Sequence, residues 1–170
     1  MSTYYIIGFC VGFLAVAIIC FIFGKKKYKV QYDERQKAIQ GIAYKLGFFA
    51  MIFYFLVNGF ICTEIGNWLP LLHMNFIGVC VGIACYACYA IFNDAYISLN
   101  TKPFKTLLPL AFVSVINYIA FLVRLGKDDS YFETSILNLV CAILLTAVCV
   151  MLIIKIIIDK CREKKELVEE

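Results

Sequence analysis

The sequence predicts an all-α polytopic membrane protein, a bundle of five transmembrane helices. Hydrophobic residues make up 63% of the 170 positions, and a mean hydropathy of +0.86 leaves too little polar surface to cover a water-soluble fold. The apolar residues gather into five stretches, each close to the ~20 residues that an α-helix needs to cross the hydrocarbon core. The sixteen Lys and Arg residues fall almost entirely between those stretches. A backbone inside hydrocarbon must satisfy its own N–H and C=O groups, and the chain lacks the alternating segments of a membrane barrel, so helices are the spanning elements. No polar stretch is long enough for a soluble domain, and residues 1–170 read as one transmembrane helical domain.

The first stretch, Tyr4–Gly24, is preceded by no charge and followed at once by Lys25, Lys26, Lys27 and Lys29. A cleaved signal peptide carries its positive charge before the apolar core, so this segment is expected to persist as a helix. The basic run from Lys25 to Lys29 suits anionic lipid headgroups, each residue gaining about 1 kcal/mol near the surface. Gly8 and Gly12, one helical turn apart, form a flat face for close helix approach.

The second stretch is Leu46–Glu64, and the connection before it contains its own helix signal. Asp33 stands as an N-cap with Gln36 in the capping-box position, while Ile39, Ile42, Ala43 and Leu46 recur at helical spacing. A helix is expected to start there and run straight into the span, with Asp33, Glu34, Arg35 and Gln36 at its exposed first turn, where the helix dipole favours acidic groups. The next loop, Gly66 to Asn75, has no basic residue and holds Trp68 and His73, the single histidine. His73 is expected as an interfacial loop residue.

The third stretch, Phe76–Ile97, contains Gly78 and Gly82, a second packing seam, expected to serve contacts within the molecule. Pro109 lies near the start of the fourth stretch, Leu107–Leu125, where it is tolerated. The fifth, Ser135–Ile158, leads into a mixed-charge tail from Asp159 to Glu170. Three carboxamides, Asn58, Asn117 and Asn138, lie inside spans. As interhelical hydrogen bonds such groups contribute on the order of 0.6–2 kcal/mol each; in a transporter they would line a midplane site.

Orientation follows from the basic residues. The first, third and last polar segments carry seven, two and five, and the second and fourth carry none and two, so alternate sides hold fourteen against two. Basic residues are retained in the cytoplasm, which places the N-terminus outside and the C-terminus inside a bacterial cytoplasmic membrane.

Eight of the nine cysteines lie in or beside apolar stretches, and the ninth, Cys161, lies in the tail. Cys85 and Cys88 have C-x-x-C spacing, yet no second pair or nearby histidine completes a zinc site, and they read as packing residues. No metal and no cofactor is expected. The chain has no H-E-x-x-H, no G-x-S-x-G and no phosphate-cradling glycine loop, which argues against an enzyme. The basic segments are too short and too close to the bilayer for nucleic acid.

Asp33-Glu34-Arg35-Gln36, then Gly41-Ile42-Ala43-Tyr44-Lys45, then Asn93-Asp94-Ala95-Tyr96 resemble an uncharacterised bacterial family of small integral membrane proteins that shares D-E-R-Q, G-K-A-Y-K-like and D-A-Y motifs. Ile42 stands where that pattern commonly has Lys. The resemblance spans Tyr32 to Asn100 and implies no activity. Asp94 is expected to pair with Arg35, Lys37 or Lys102 in a charged cluster, acting either as a helix lock or as a docking or gating surface. The functional expectation is a non-enzymatic accessory or regulatory protein that docks a partner through its cytoplasmic face, with homo-oligomerisation open; a small transporter or channel component is the alternative.

Overall fold

The protein is represented by a computed structural model that describes residues 31–125 and 129–169. The chain divides into two units, Met1–Gln31 and Tyr32–Glu170. All helices described belong to the second. The expected first span, Tyr4–Gly24 with Gly8 and Gly12, and the basic run Lys25–Lys29 lie outside the described residues. Among the described residues there are four helices, which does not match the expected count of five: α1 (Glu34–Ile65), α2 (Leu71–Phe92), α3 (Pro103–Leu125) and α4 (Asp129–Glu169). Each contains a segment long and apolar enough to cross a membrane, and the described residues are those of an all-helical, multi-pass membrane protein.

The connection helix and the second span are one continuous rod. Asp33 caps α1: its carboxylate accepts from the Gln36 N–H, and the Gln36 side chain accepts from the Asp33 N–H, which closes a capping box. The rod is 32 residues long, about 48 Å at the usual rise. It ends at Gly66, whose φ of +87° lies in the region that favours glycine.

Helix α2 is displaced five residues towards the N-terminus relative to the expected Phe76–Ile97. Proline starts it. Pro70 cannot extend a helix backwards, and its carbonyl accepts from the N–H groups of His73 and Met74. His73 is therefore a buried residue of the first turn, not an interfacial loop residue. At the other end Asp94 adopts a left-handed φ of +61°. The Asp94 N–H bonds Ile91 O at 3.3 Å and the Ala95 N–H bonds Ala90 O at 2.8 Å, the two-bond closure that stops a helix. Pro103 opens α3 at the first helical position, where its missing N–H costs nothing. Helix α4 has 41 residues, about 61 Å, so it extends well beyond a ~30 Å hydrocarbon core.

The described helices form an open row rather than a closed bundle. Helix α1 packs on α2, α2 on α4, and α4 on α3, with no other pair in close backbone contact. The candidate spans of the two outer helices are accordingly 6% buried, against 28% and 22% for the inner two. Ala87 and Ile91 of α2 meet Val148 and Leu152 of α4 at the centre, with Leu107 and Leu110 of α3 against them. Ser114 and Thr146 hold α3 to α4: their hydroxyls lie 2.8 Å apart and each reaches the Ala142 carbonyl.

The α1–α2 crossing depends on backbone proximity. A Cβ added at Gly47 would lie 2.7 Å from the Gly82 carbonyl, and one at Gly82 would lie 3.0 Å from the Gly47 carbonyl. Gly78 faces the rings of Tyr54 and Phe55 on the same seam, at 2.6 to 2.7 Å from the added carbon. Gly82→Leu should therefore push the helices apart and lower stability by about 1–3 kcal/mol, the usual cost of overpacking. Gly41 has open space around it, so Gly41→Ala should be stabilising by roughly 0.5–1 kcal/mol through helix propensity. Thermal unfolding of the two variants in the same detergent tests the contrast.

Candidate functional site: a pinned corner at the basic end

The start of α1, the end of α2, the start of α3 and the end of α4 lie at one end of the row. Ten of the eleven described basic residues fall there, Arg124 being the exception, so this is the basic end. Its centre is the corner after α2. Once Asp94 turns the chain out of the helix, the carbonyls of residues 94 to 97 lose their helical partners and need other donors.

Helix α1 supplies the donors. Gln36 Nε2 donates to Asp94 O at 2.6 Å and to Ile97 O at 3.3 Å, and Gln40 Nε2 donates to Ala95 O at 2.8 Å. Gln36 and Gln40 are one helical turn apart, so both amides reach the same corner. The capping box contributes to the aim: with its Oε1 on the Asp33 N–H, the Gln36 carboxamide is turned so that its nitrogen faces Asp94. Gln36 is only 7% exposed. It is buried, and does not stand at an exposed turn with Glu34 and Arg35.

Helix α4 supplies the counter-charge. Lys155 Nζ lies 2.9 Å from the Asp94 carboxylate and 2.9 Å from that of Asp159. The lysine side chain is 14% exposed, whereas that of Asp94 is 56% exposed. The expected partners of Asp94, namely Arg35, Lys37 and Lys102, make no ion pair with it. The reason is the left-handed corner, which directs the carboxylate towards α4 and the carbonyl towards α1. Behind the ion pair lies a small cavity lined by Ile91, Tyr96, Ile97, Pro103, Leu152 and Ile156.

Three tyrosines continue the connection. Tyr44 of α1 stacks on Tyr86 of α2 with centroids 4.6 Å apart, and Tyr86 meets Tyr96 of the corner at 6.5 Å. Burial raises the Tyr96 phenol above its ordinary pKa, with the Cys149 thiol and the Tyr32 phenol adding to the effect, so the ring stays neutral.

The structure thus brings together Asp33, Gln36, Tyr44 and Asp94 from the three motifs. Glu34 and Arg35 are exposed at the tip of α1 and make no contact with the corner. Among the intramembrane carboxamides, Asn58 accepts from Trp68 Nε1 at 2.8 Å, Asn117 donates to the Val113 carbonyl of its own helix at 2.8 Å, and Asn138 is half-buried on α4. They do not converge. Gly78 and Gly82 face α1, as described above. The described cysteines are free thiols, with Cys88 and Cys161 exposed.

Sequence reasoning missed Lys155 and Gln40. Both left a signal. Lys155 is the single charge in the run Met151–Ile158, with an aspartate four residues on, and an isolated charge in an apolar helix needs a partner. Gln40 repeats Gln36 one turn later. No known family, curated protein or solved structure matches this chain.

Side chains adjacent in sequence should have different weights. Gln36→Leu removes three hydrogen bonds of a buried side chain and should cost about 2–3 kcal/mol, while Arg35→Leu at an exposed position should stay within ~0.5 kcal/mol. Asp94→Asn breaks an ion pair in which only the lysine is well shielded and should cost about 1–2 kcal/mol, between the exposed and buried limits. Denaturant titration of each purified variant checks these values.

Proposed function

We propose that the protein is a non-enzymatic accessory or regulatory membrane protein that docks a partner through its basic end. The observation that carries this reading is the rigid presentation of the charged tip of α1. Helix α1 begins twelve residues before its apolar stretch at Leu46, which is about 18 Å of helix. Within that length Gln36 and Gln40 tie it to the α2 corner. Glu34, Arg35 and Lys37 therefore stand exposed on a fixed support. A partner meeting pre-ordered charges loses less entropy on binding than one meeting a loose segment, and opposite charges speed and orient the encounter. The tail of α4, with Lys160, Arg162, Lys164 and Lys165 exposed, offers a second charged surface at the same end.

The same proposal puts the basic end on the cytoplasmic side of a bacterial membrane, supported by the tendency of basic residues to be retained on that side. Membership of the bacterial family with D-E-R-Q and D-A-Y motifs is part of the same proposal, resting on the convergence of Gln36, Tyr44 and Asp94 at one corner.

Quantitative mass spectrometry of proteins co-purifying with the tagged protein from its native membrane, in mild detergent, tests the reading. A Glu34→Lys/Arg35→Glu variant should lose a specific partner while its thermal stability is unchanged, because neither side chain touches the corner. Retention of every partner by the charge-reversed protein overturns docking through this tip.

A further inference from the structure

Asp94 bonds to two helices that have no close backbone contact with each other. The carbonyl of Asp94 accepts from Gln36 of α1 at 2.6 Å while its carboxylate binds Lys155 of α4 at 2.9 Å. The two bonds are made by opposite ends of one residue. The two hydrogen bonds that close α2 hold the corner to the helix end, so a movement of the corner as a body that draws the carbonyl away from α1 also carries the carboxylate relative to α4. Lys155 has a second acceptor, Asp159, at the same 2.9 Å. Release of Asp94 therefore does not leave a bare ammonium, and the two arrangements, Lys155 held by both aspartates or by Asp159 alone, differ by one moderately shielded pair rather than by a buried unpaired charge. An element with two such arrangements, biased by groups on both helices, is the physical requirement for coupling between separated sites.

We infer that Asp94 is the relay between the tip of α1 and the tail of α4, so that a partner engaging Glu34 and Arg35 changes how firmly the last turns of α4 are held. The inference rests on the docking reading for its biological meaning, but the coupling itself needs no partner. It is reciprocal: whatever weakens the Lys155 side must loosen α1 to the same degree that weakening the Gln36 side loosens α4.

Hydrogen–deuterium exchange of the purified full-length protein in lipid nanodiscs, without any partner, tests it. Lys155→Met, a change confined to α4, should speed amide exchange over residues 38–44 of α1 by about 5-fold, the lower end of measured couplings. Gln36→Leu should speed exchange over residues 156–162 by a similar factor. Asp159→Asn, which leaves the Asp94 pair in place, should leave α1 unchanged. Asp94→Asn keeps the carbonyl and a side chain that tolerates the left-handed backbone but removes the charge, and in that background Gln36→Leu should have no further effect on α4. The relay is overturned if α1 is unchanged by Lys155→Met, if exchange rises uniformly along all four helices, or if Gln36→Leu affects α4 equally with and without Asp94. Because no partner is present, failure here leaves docking through Glu34 and Arg35 standing, and failure of the charge reversal to release a partner leaves the exchange result intact.

Discussion

The need to satisfy backbone carbonyls where α2 ends is the constraint on which the basic end depends. Asp94 stops the helix in a left-handed conformation and closes two backbone bonds behind it. The carbonyls of Asp94, Ala95 and Ile97 then point out of the helix. Beside hydrocarbon such groups carry a large penalty if left unpaired. Gln36 and Gln40 answer them from α1, and Lys155 answers the carboxylate from α4. Three of the four described helices thus meet at a corner of four residues, while α3 is held separately through Ser114 and Thr146 on α4.

The corner works only because the helices approach closely below it. In lipid there is no hydrophobic gain from bringing two apolar helices together, and association relies on close packing and on modest polar bonds. The Gly47–Gly82 crossing meets the first requirement, with the two backbones so near that a methyl group at Gly47 would collide with the Gly82 carbonyl at 2.7 Å and one at Gly82 would be tight against the Gly47 carbonyl at 3.0 Å. The stacked pair Tyr44–Tyr86 then fills the space between the crossing and the corner. A wider crossing would carry α1 away from α2 and place the Gln36 and Gln40 amides beyond hydrogen-bond range. Glycine packing and carboxamide bonding are therefore successive parts of one contact.

This arrangement also separates two kinds of charge. Asp94, Lys155 and Asp159 are paired with one another within the structure. Glu34, Arg35 and Lys37 remain exposed on the supported end of α1, and these are the charges that the proposed docking assigns to a partner. The open row of helices has a related consequence: outer helices with little buried surface owe their position to a few specific contacts, so α1 is held mainly by its glycine crossing and by the corner.

The sequence by itself determined that the chain is helical and crosses a membrane several times, because both follow from the length and apolarity of single segments. It also determined the start of α1, since the Asp33–Gln36 capping box is local chemistry, and it singled out the motif segments that meet at the corner. Helix limits set by a proline or a left-handed residue were less legible: α2 began at Leu71 and stopped at Phe92 because Pro70 and Asp94 act through backbone geometry that hydropathy does not register. Pairing was not legible at all. Arg35, Lys37 and Lys102 were nearer to Asp94 in expected topology, yet Lys155 holds it, because the order of the row, α1–α2–α4–α3, and the direction of the Asp94 side chain arise only when the helices pack. The burial of Gln36 and His73 has the same origin. A residue's own neighbours in sequence set whether it is helical, whereas its depth and its partner depend on which distant helix the close-packed seams bring against it.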